Sequence, residues 1–144
     1  MIWTLPVPSK VRNDYRGNGD FFAKRDGHPH EGIDLEVFPG QVVIAPTKCH
    51  VDRISRPYAT DPGWLGLQLS TPLVIVKIFY LEPFKTIIGK DVDFAEPLGH
   101  AQDISKKYPG ITPHIHFQVG LRPFSYLPVY QQILWVNPSV FFEV

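Results

Sequence analysis

Proline recurs along this chain from Pro6 to Pro138, 15 times in 144 residues, about twice the usual share of roughly 5 %. Each one lacks the N–H that a helix interior or a central strand must donate, and its ring collides with a preceding helical turn. Scattered this widely, the prolines argue against long helices and for short strands joined by loops. Hydrophobic residues make up 44 %, enough to close an ordered core at this length. The expected fold class is all-β: a compact antiparallel β-sandwich or open barrel with a loop-rich periphery.

The hydrophobic pattern places the strands. Leu73 to Leu81 is the longest apolar run, rich in β-branched and aromatic residues, and predicts the central strand. Gln41 to Ala45, closed by Pro46, predicts a short buried strand, and Cys49 to Ile54 an extended continuation. Arg56 to Gly66 reads as a loop. Leu65, Leu67 and Leu69 alternate with Gly66, Gln68 and Ser70, as on a half-buried strand. Asp91 to Gly99 predicts a turn followed by a strand, Ile104 to Tyr108 one helical turn, and Gln131 to Val136 a short helix. The chain is expected to be a single domain over 1–144, with an N-terminal arm (1–27), a β core (28–120) and an aromatic, proline-rich tail (121–144) packed on it.

Two stretches carry chemistry. In Thr112-Pro113-His114-Ile115-His116-Phe117-Gln118-Val119 polar and apolar residues alternate. On a strand this sends His114, His116 and Gln118 to one face. In His30-Glu31-Gly32-Ile33-Asp34 an imidazole and a carboxylate stand four residues apart, with Gly32 expected to let the backbone bend. Imidazoles plus one carboxylate are the ligand set of a catalytic-type zinc centre, which leaves one position open for water.

Fourteen basic and fourteen acidic residues cancel, so no bulk charge draws the chain to nucleic acid or to anionic membranes. No apolar run is long enough to insert into a bilayer. Cys49 is the only cysteine and is read as a small buried apolar group, with no internal disulfide. The start of the chain lacks a signal-peptide pattern. Synthesis in a cytoplasm is therefore expected, and no readable address gives the final destination. Lys77, the one charge in the central run, is read as a solvent-facing side chain. Trp135 and Phe141-Phe142 are read as core or edge cover; if exposed, they would offer an assembly partner a surface.

His30-Glu31-Gly32-Ile33-Asp34, Pro39-Gly40, Val42-Val43-Ile44-Ala45-Pro46, His114-Ile115-His116 and the closing Val136-Asn137-Pro138 together resemble the lysostaphin-type (LytM-type, duplicated hybrid motif) zinc metallopeptidase family. The resemblance spans about residues 16 to 120 and 134 to 140. It implies the compact β-fold of that family and hydrolysis of peptide cross-links in bacterial cell walls. It also implies Zn2+ as cofactor, with His30, Asp34 and His116 as ligands. His114 would then contact the metal-bound water or the developing oxyanion. Within the family, Lys77-Ile78-Phe79-Tyr80-Leu81, Gly89-Lys90, Pro97-Leu98-Gly99 and Lys107-Tyr108-Pro109-Gly110-Ile111 are similar to the leukocyte cell-derived chemotaxin branch. Members of that branch are secreted, keep the zinc ligands and are regarded as lacking peptidase activity. Their disulfides have no counterpart in a chain with one cysteine, which favours a microbial or viral relative.

One position departs from the active pattern. Active members carry a further histidine in a Tyr-x-His-Leu turn after the central strand, and here that position falls on Tyr80. A phenol, with a pKa of about 10, is a poor base near neutrality but can donate to an oxyanion. His100 ranks first among substitute bases, ahead of His28, His50 and Glu31, whose side chain is expected to point away from that of His30. The leading expectation is a peptidoglycan endopeptidase with His114 and Tyr80 at the reacting centre and a wall peptide or other peptide as ligand. The alternative is a catalytically impaired zinc module in a phage tail or a cell-wall-associated assembly.

Overall fold

The computed structural model describes residues 3–122 and 133–142. Its strands are β1 (Asn13–Asp14), β2 (Gly17–Asn18), β3 (Ile33–Glu36), β4 (Val42–Ile44), β5 (Cys49–Ile54), β6 (Gly66–Ser70), β7 (Val74–Phe79), β8 (Leu81–Pro83), β9 (Asp91–Val92), β10 (Pro97–Ala101), β11 (His114–Leu121) and β12 (Leu134–Val136). Among the described residues no helix reaches seven residues, in keeping with the proline spacing. The chain has the expected all-β, antiparallel fold.

The large sheet runs β12-β11-β7-β6-β5-β9, and β3 pairs with the first half of β11. The run centred on β7 is indeed internal, held by β6 on one side and β11 on the other. A smaller sheet, β4-β10-β8, contributes Val43, Leu81, Leu98 and Ala101 to the same core that Val51, Leu67, Leu69, Val76, Ile78, Ile115, Phe117 and Val119 fill from the large one. The alternation read in β11 holds: Ile115, Phe117 and Val119 are fully buried in that core, leaving His114, His116 and Gln118 for the opposite face.

Three local expectations are corrected. Gln131 to Val136 is not a helix where it is described. Leu134–Val136 is a strand against Val119–Leu121, because the edge of β11 beyond β3 presents backbone groups that need partners; residues 131 and 132 lie outside the described residues. In Asp91 to Gly99 the order is strand, turn, strand. Pro97 opens β10, where its missing N–H is tolerated. Val42 in the Gln41 to Ala45 run is exposed while Val43 is fully buried, so that strand is covered on one face.

The N-terminal segment lies along β3. Glu36 N–H donates to Lys10 O, Arg12 N–H to Asp34 O, Asp34 N–H to Gly19 O and Gly19 N–H to Arg12 O. Trp3 is buried and stacks on Phe141 at 4.4 Å between ring centroids. Phe142 leans on both Trp3 and Phe117, so this part of the tail is core cover. The rest of the aromatic tail, 123–132, lies outside the described residues.

Candidate metal centre

Asp34 and His116 are direct partners in the β3–β11 register, so both side chains stand on one face. His30 arrives from the segment before β3, anchored by Phe22 N–H to His30 O and by His30 N–H to Ala23 O. Three atoms converge: His30 Nε2 and His116 Nδ1 are 3.0 Å apart, and each lies 3.2 Å from Asp34 Oδ1. All three residues are buried and form a group that could hold a metal ion.

The outer atoms dictate what the inner ones offer. His30 Nδ1 is 2.9 Å from the carbonyl of Asp20, which can only accept, so that nitrogen carries the proton. His116 Nε2 donates to Gln118 Oε1 at 2.8 Å. The remaining lone pairs of both rings therefore point at each other and at a carboxylate oxygen. Such a triangle is repulsive unless a cation, a proton or a metal ion, sits within it. The donor set of two imidazoles and one carboxylate, with the other ring nitrogens fixed by acceptors, fits zinc. The second carboxylate oxygen, Asp34 Oδ2, accepts from Arg12 Nε and a terminal Arg12 nitrogen, both at 3.3 Å. Burial by itself raises the pKa of Asp34. When protons rather than a metal ion occupy these rings, hydrogen bonds from His116 and His30 and the charges of His114 and His116 more than offset it, holding the carboxyl well below its usual range.

Two glycines let the segments come this close. A Cβ on Gly32 would stand 2.4 Å from Phe117 O and 3.0 Å from the His116 ring, and one on Gly19 would meet Asp34 Cβ at 2.4 Å. Gly32 stands at a bend, as read from the sequence, and its missing Cβ also permits this close approach.

His114 and Tyr80 flank the triangle. His114 Nδ1 donates to Thr112 O at 2.8 Å, which leaves Nε2 facing Asp34 Oδ2 at 3.6 Å. Burial lowers the pKa of His114, against the opposing pull of Asp34, which favours a neutral ring with a free lone pair. The ring of Tyr80 meets that of His114 edge-on at 5.4 Å. Tyr80 sits at φ 67°, a left-handed conformation that non-glycine residues rarely hold outside functional or tightly packed corners. Its hydroxyl is 2.8 Å from that of Tyr58, which in turn accepts from Tyr108 at 2.9 Å. Burial raises the Tyr80 pKa to about 12, so the phenol stays protonated.

The other candidates fall elsewhere. His100 is exposed on β10 and packs against Phe84; it does not line the cleft. The expectation that made it the first substitute base is not met, because β10 belongs to the smaller sheet. His50 pairs with Asp91 at 2.8 Å on the exposed edge of β5. Glu31 does face the cleft, contrary to expectation, because residues 30–32 are not in a strand; its carboxylate lies 3.5 Å from Gln118 Nε2. Cys49 is buried, and burial pushes its thiol up to about 12. Lys77 is half-buried on the cleft floor rather than free in solvent. Arg12, Tyr58 and Tyr108 were not singled out from the sequence. Tyr108 lies in the Lys107–Ile111 stretch that carries the resemblance, but its place at the site, like theirs, comes from a contact distant in the chain.

The cleft over this centre has a volume of about 780 Å³. Its walls carry five cationic side chains (Arg12, Arg16, Arg25, Arg56, Lys77) against three carboxylates (Asp26, Glu31, Asp34).

No protein-family model matches the chain. Leukocyte cell-derived chemotaxin-2 of Mus musculus is 32 % identical over 122 residues, covering 81 % of this chain and 80 % of that protein. Among solved structures, the catalytic domain of the antimicrobial peptidase lysostaphin from Staphylococcus simulans superposes with a TM-score of 0.57 at 18 % identity, over 88 % of this chain and 87 % of that one. A zinc-containing peptidase from Vibrio cholerae does so with a TM-score of 0.59 at 20 % identity, over 85 % and 37 % of the two chains. With the fold, the ordered motifs and a relative matched along most of its length in agreement, this chain belongs to the lysostaphin-type (LytM-type) metallopeptidase family, on the side of it that resembles leukocyte cell-derived chemotaxin-2.

Proposed function

We propose that the chain is a zinc metallopeptidase-type domain that hydrolyses peptide cross-links of the bacterial cell wall. The observation that carries this reading is the inward-facing triangle of His30 Nε2, Asp34 Oδ1 and His116 Nδ1 at the floor of an open cleft. These three residues would hold the zinc, which supplies Lewis acidity to a peptide carbonyl and lowers the pKa of a bound water toward 7.

The chain's own groups do the rest. His30 and His116 are held in the ligating tautomer by Asp20 O and Gln118. Arg12 fixes the plane of the Asp34 carboxylate. His114, with Nδ1 committed to Thr112, offers Nε2 as the acceptor of a proton from the attacking water. Tyr80, protonated and braced by Tyr58, supplies a hydroxyl donor to the oxyanion where the active pattern has an imidazole.

A second reading has its own observation. The Tyr80 hydroxyl is engaged with Tyr58, and a chain in which it stays so engaged binds wall peptide without cutting it. The test is release of soluble peptide from purified peptidoglycan by zinc-loaded protein. Release is expected to disappear in His116→Ala and to rise in Tyr80→His. A wild type that takes up zinc and releases nothing, while Tyr80→His does, supports the binding module; release unchanged in His116→Ala removes the hydrolytic assignment.

A further inference from the structure

We infer that the cleft selects peptides carrying a carboxylate one or two residues from the carbonyl directed at the metal centre, and that Lys77 is the residue that recognises it. The inference deepens the peptidase-type reading of the site and rests on it.

The molecule as a whole is electrically neutral, yet the walls of this cleft carry an excess of cations. Arg12 is consumed behind Asp34, and Arg25 donates to backbone carbonyls. Lys77 is different. It stands opposite Gln118 in the β7–β11 register, two residues from the Phe79–His116 pair, and so shares the face of the metal centre. Among the described residues it makes no ion pair; its ammonium lies 5.8 Å over the ring of Trp135. Gln68, its neighbour across β6, has its amide committed to Asp52 and Arg53, and the amide of Gln118 is shared between His116 and Glu31. Lys77 therefore holds three donors on the floor of the cleft without an ionic partner, in a half-buried position where the charge has lost part of its hydration. Burial and the nearby Arg53 both lower its affinity for a proton, and Glu31 opposes them. An incoming carboxylate reverses that penalty by supplying the missing counter-charge.

The spacing sets the position. Two residues along β7 is about 7 Å, and an extended peptide advances about 3.5 Å per residue. A carboxylate one or two residues from the metal-directed carbonyl thus comes within reach of the flexible lysine stem. Arg56, exposed at the rim, adds attraction over a longer range without fixing a position.

The probe is a set of acetylated, amidated alanine pentapeptides with one Glu, or one Gln in its place, moved through the five positions. Binding to the zinc-loaded protein is followed by calorimetry and by NMR of the histidine rings. Glu is expected to bind about tenfold tighter than Gln at one or two positions, the preference shrinking as salt is raised. Lys77→Met should abolish the preference without lowering the melting temperature, and Lys77→Arg should retain it. No Glu preference at any position, or one that persists in Lys77→Met, overturns the inference. Peptidoglycan release is read separately. A Lys77-dependent preference in a protein that releases nothing upholds recognition and removes hydrolysis; release without the preference does the reverse.

Discussion

Arg12 is 3 % exposed and joins Asp34 to Asp14 from behind the triangle. Removing one partner of a buried ion pair leaves the other charge uncompensated, typically at a cost of about 3–5 kcal/mol. Arg12→Met is expected to lose stability of that order in denaturant unfolding of the metal-free protein, and less when zinc supplies a replacement charge. An equal loss with and without zinc would show that the carboxylate does not meet the metal. At Cys49 the expectation is inertness: with the thiol pushed up to about 12 and buried, almost no thiolate exists near pH 8. A disulfide reagent should label it slowly in the folded protein and rapidly once denaturant unfolds the chain.

At the scale of elements, the corner between β7 and β8 is the informative one. Tyr80 takes its left-handed turn there because its N–H donates to Leu65 O and its carbonyl accepts from Gln102 N–H. Those contacts over-determine a backbone conformation that costs about 1–3 kcal/mol. Tyr80→Phe keeps the ring and removes the hydroxyl, which should lower stability by about 1 kcal/mol through the lost bond to Tyr58. If the hydroxyl also serves the oxyanion, peptidoglycan release should fall by about 10²-fold or more. A fall in stability with release unchanged would confine Tyr80 to packing. The alternation in His114 to Val119 made β11 and its two faces legible in advance. The pairing of Leu134–Val136 with β11 was not legible, since three residues carry too little periodicity to outweigh a helical reading.

For the whole molecule, a zinc ion held by His30, Asp34 and His116 would bridge segments that meet only in the folded state, so its binding would be linked to folding. At free zinc about 100-fold above its dissociation constant the gain is about 2.7 kcal/mol, or roughly 5–10 °C in melting temperature for a domain of this size. A chelator should reverse it, and acid should erase it as protons compete for the same inner atoms. In the metal-free protein the sign is set by Asp34, whose folded pKa lies below the ordinary 3.8. Its contribution is complete above that value and is lost as pH falls through the lower, folded one. A melting temperature unmoved by zinc near neutral pH would count against the ligand set.

From the order of its residues alone the chain determined its fold class, its central strand and the two short stretches that meet at the candidate metal centre. Proline spacing and period-two alternation are local properties that any reader of the chain can apply. Three things were decided by tertiary structure alone: the guanidinium of Arg12 behind Asp34, the hydroxyl relay bracing Tyr80, and the turning of Glu31 and Lys77 into the cleft. Lys77 depends on the register between β7 and β11, and the others on where the N-terminal segment and the loops pack against parts of the chain far away in sequence, which no single stretch of residues encodes.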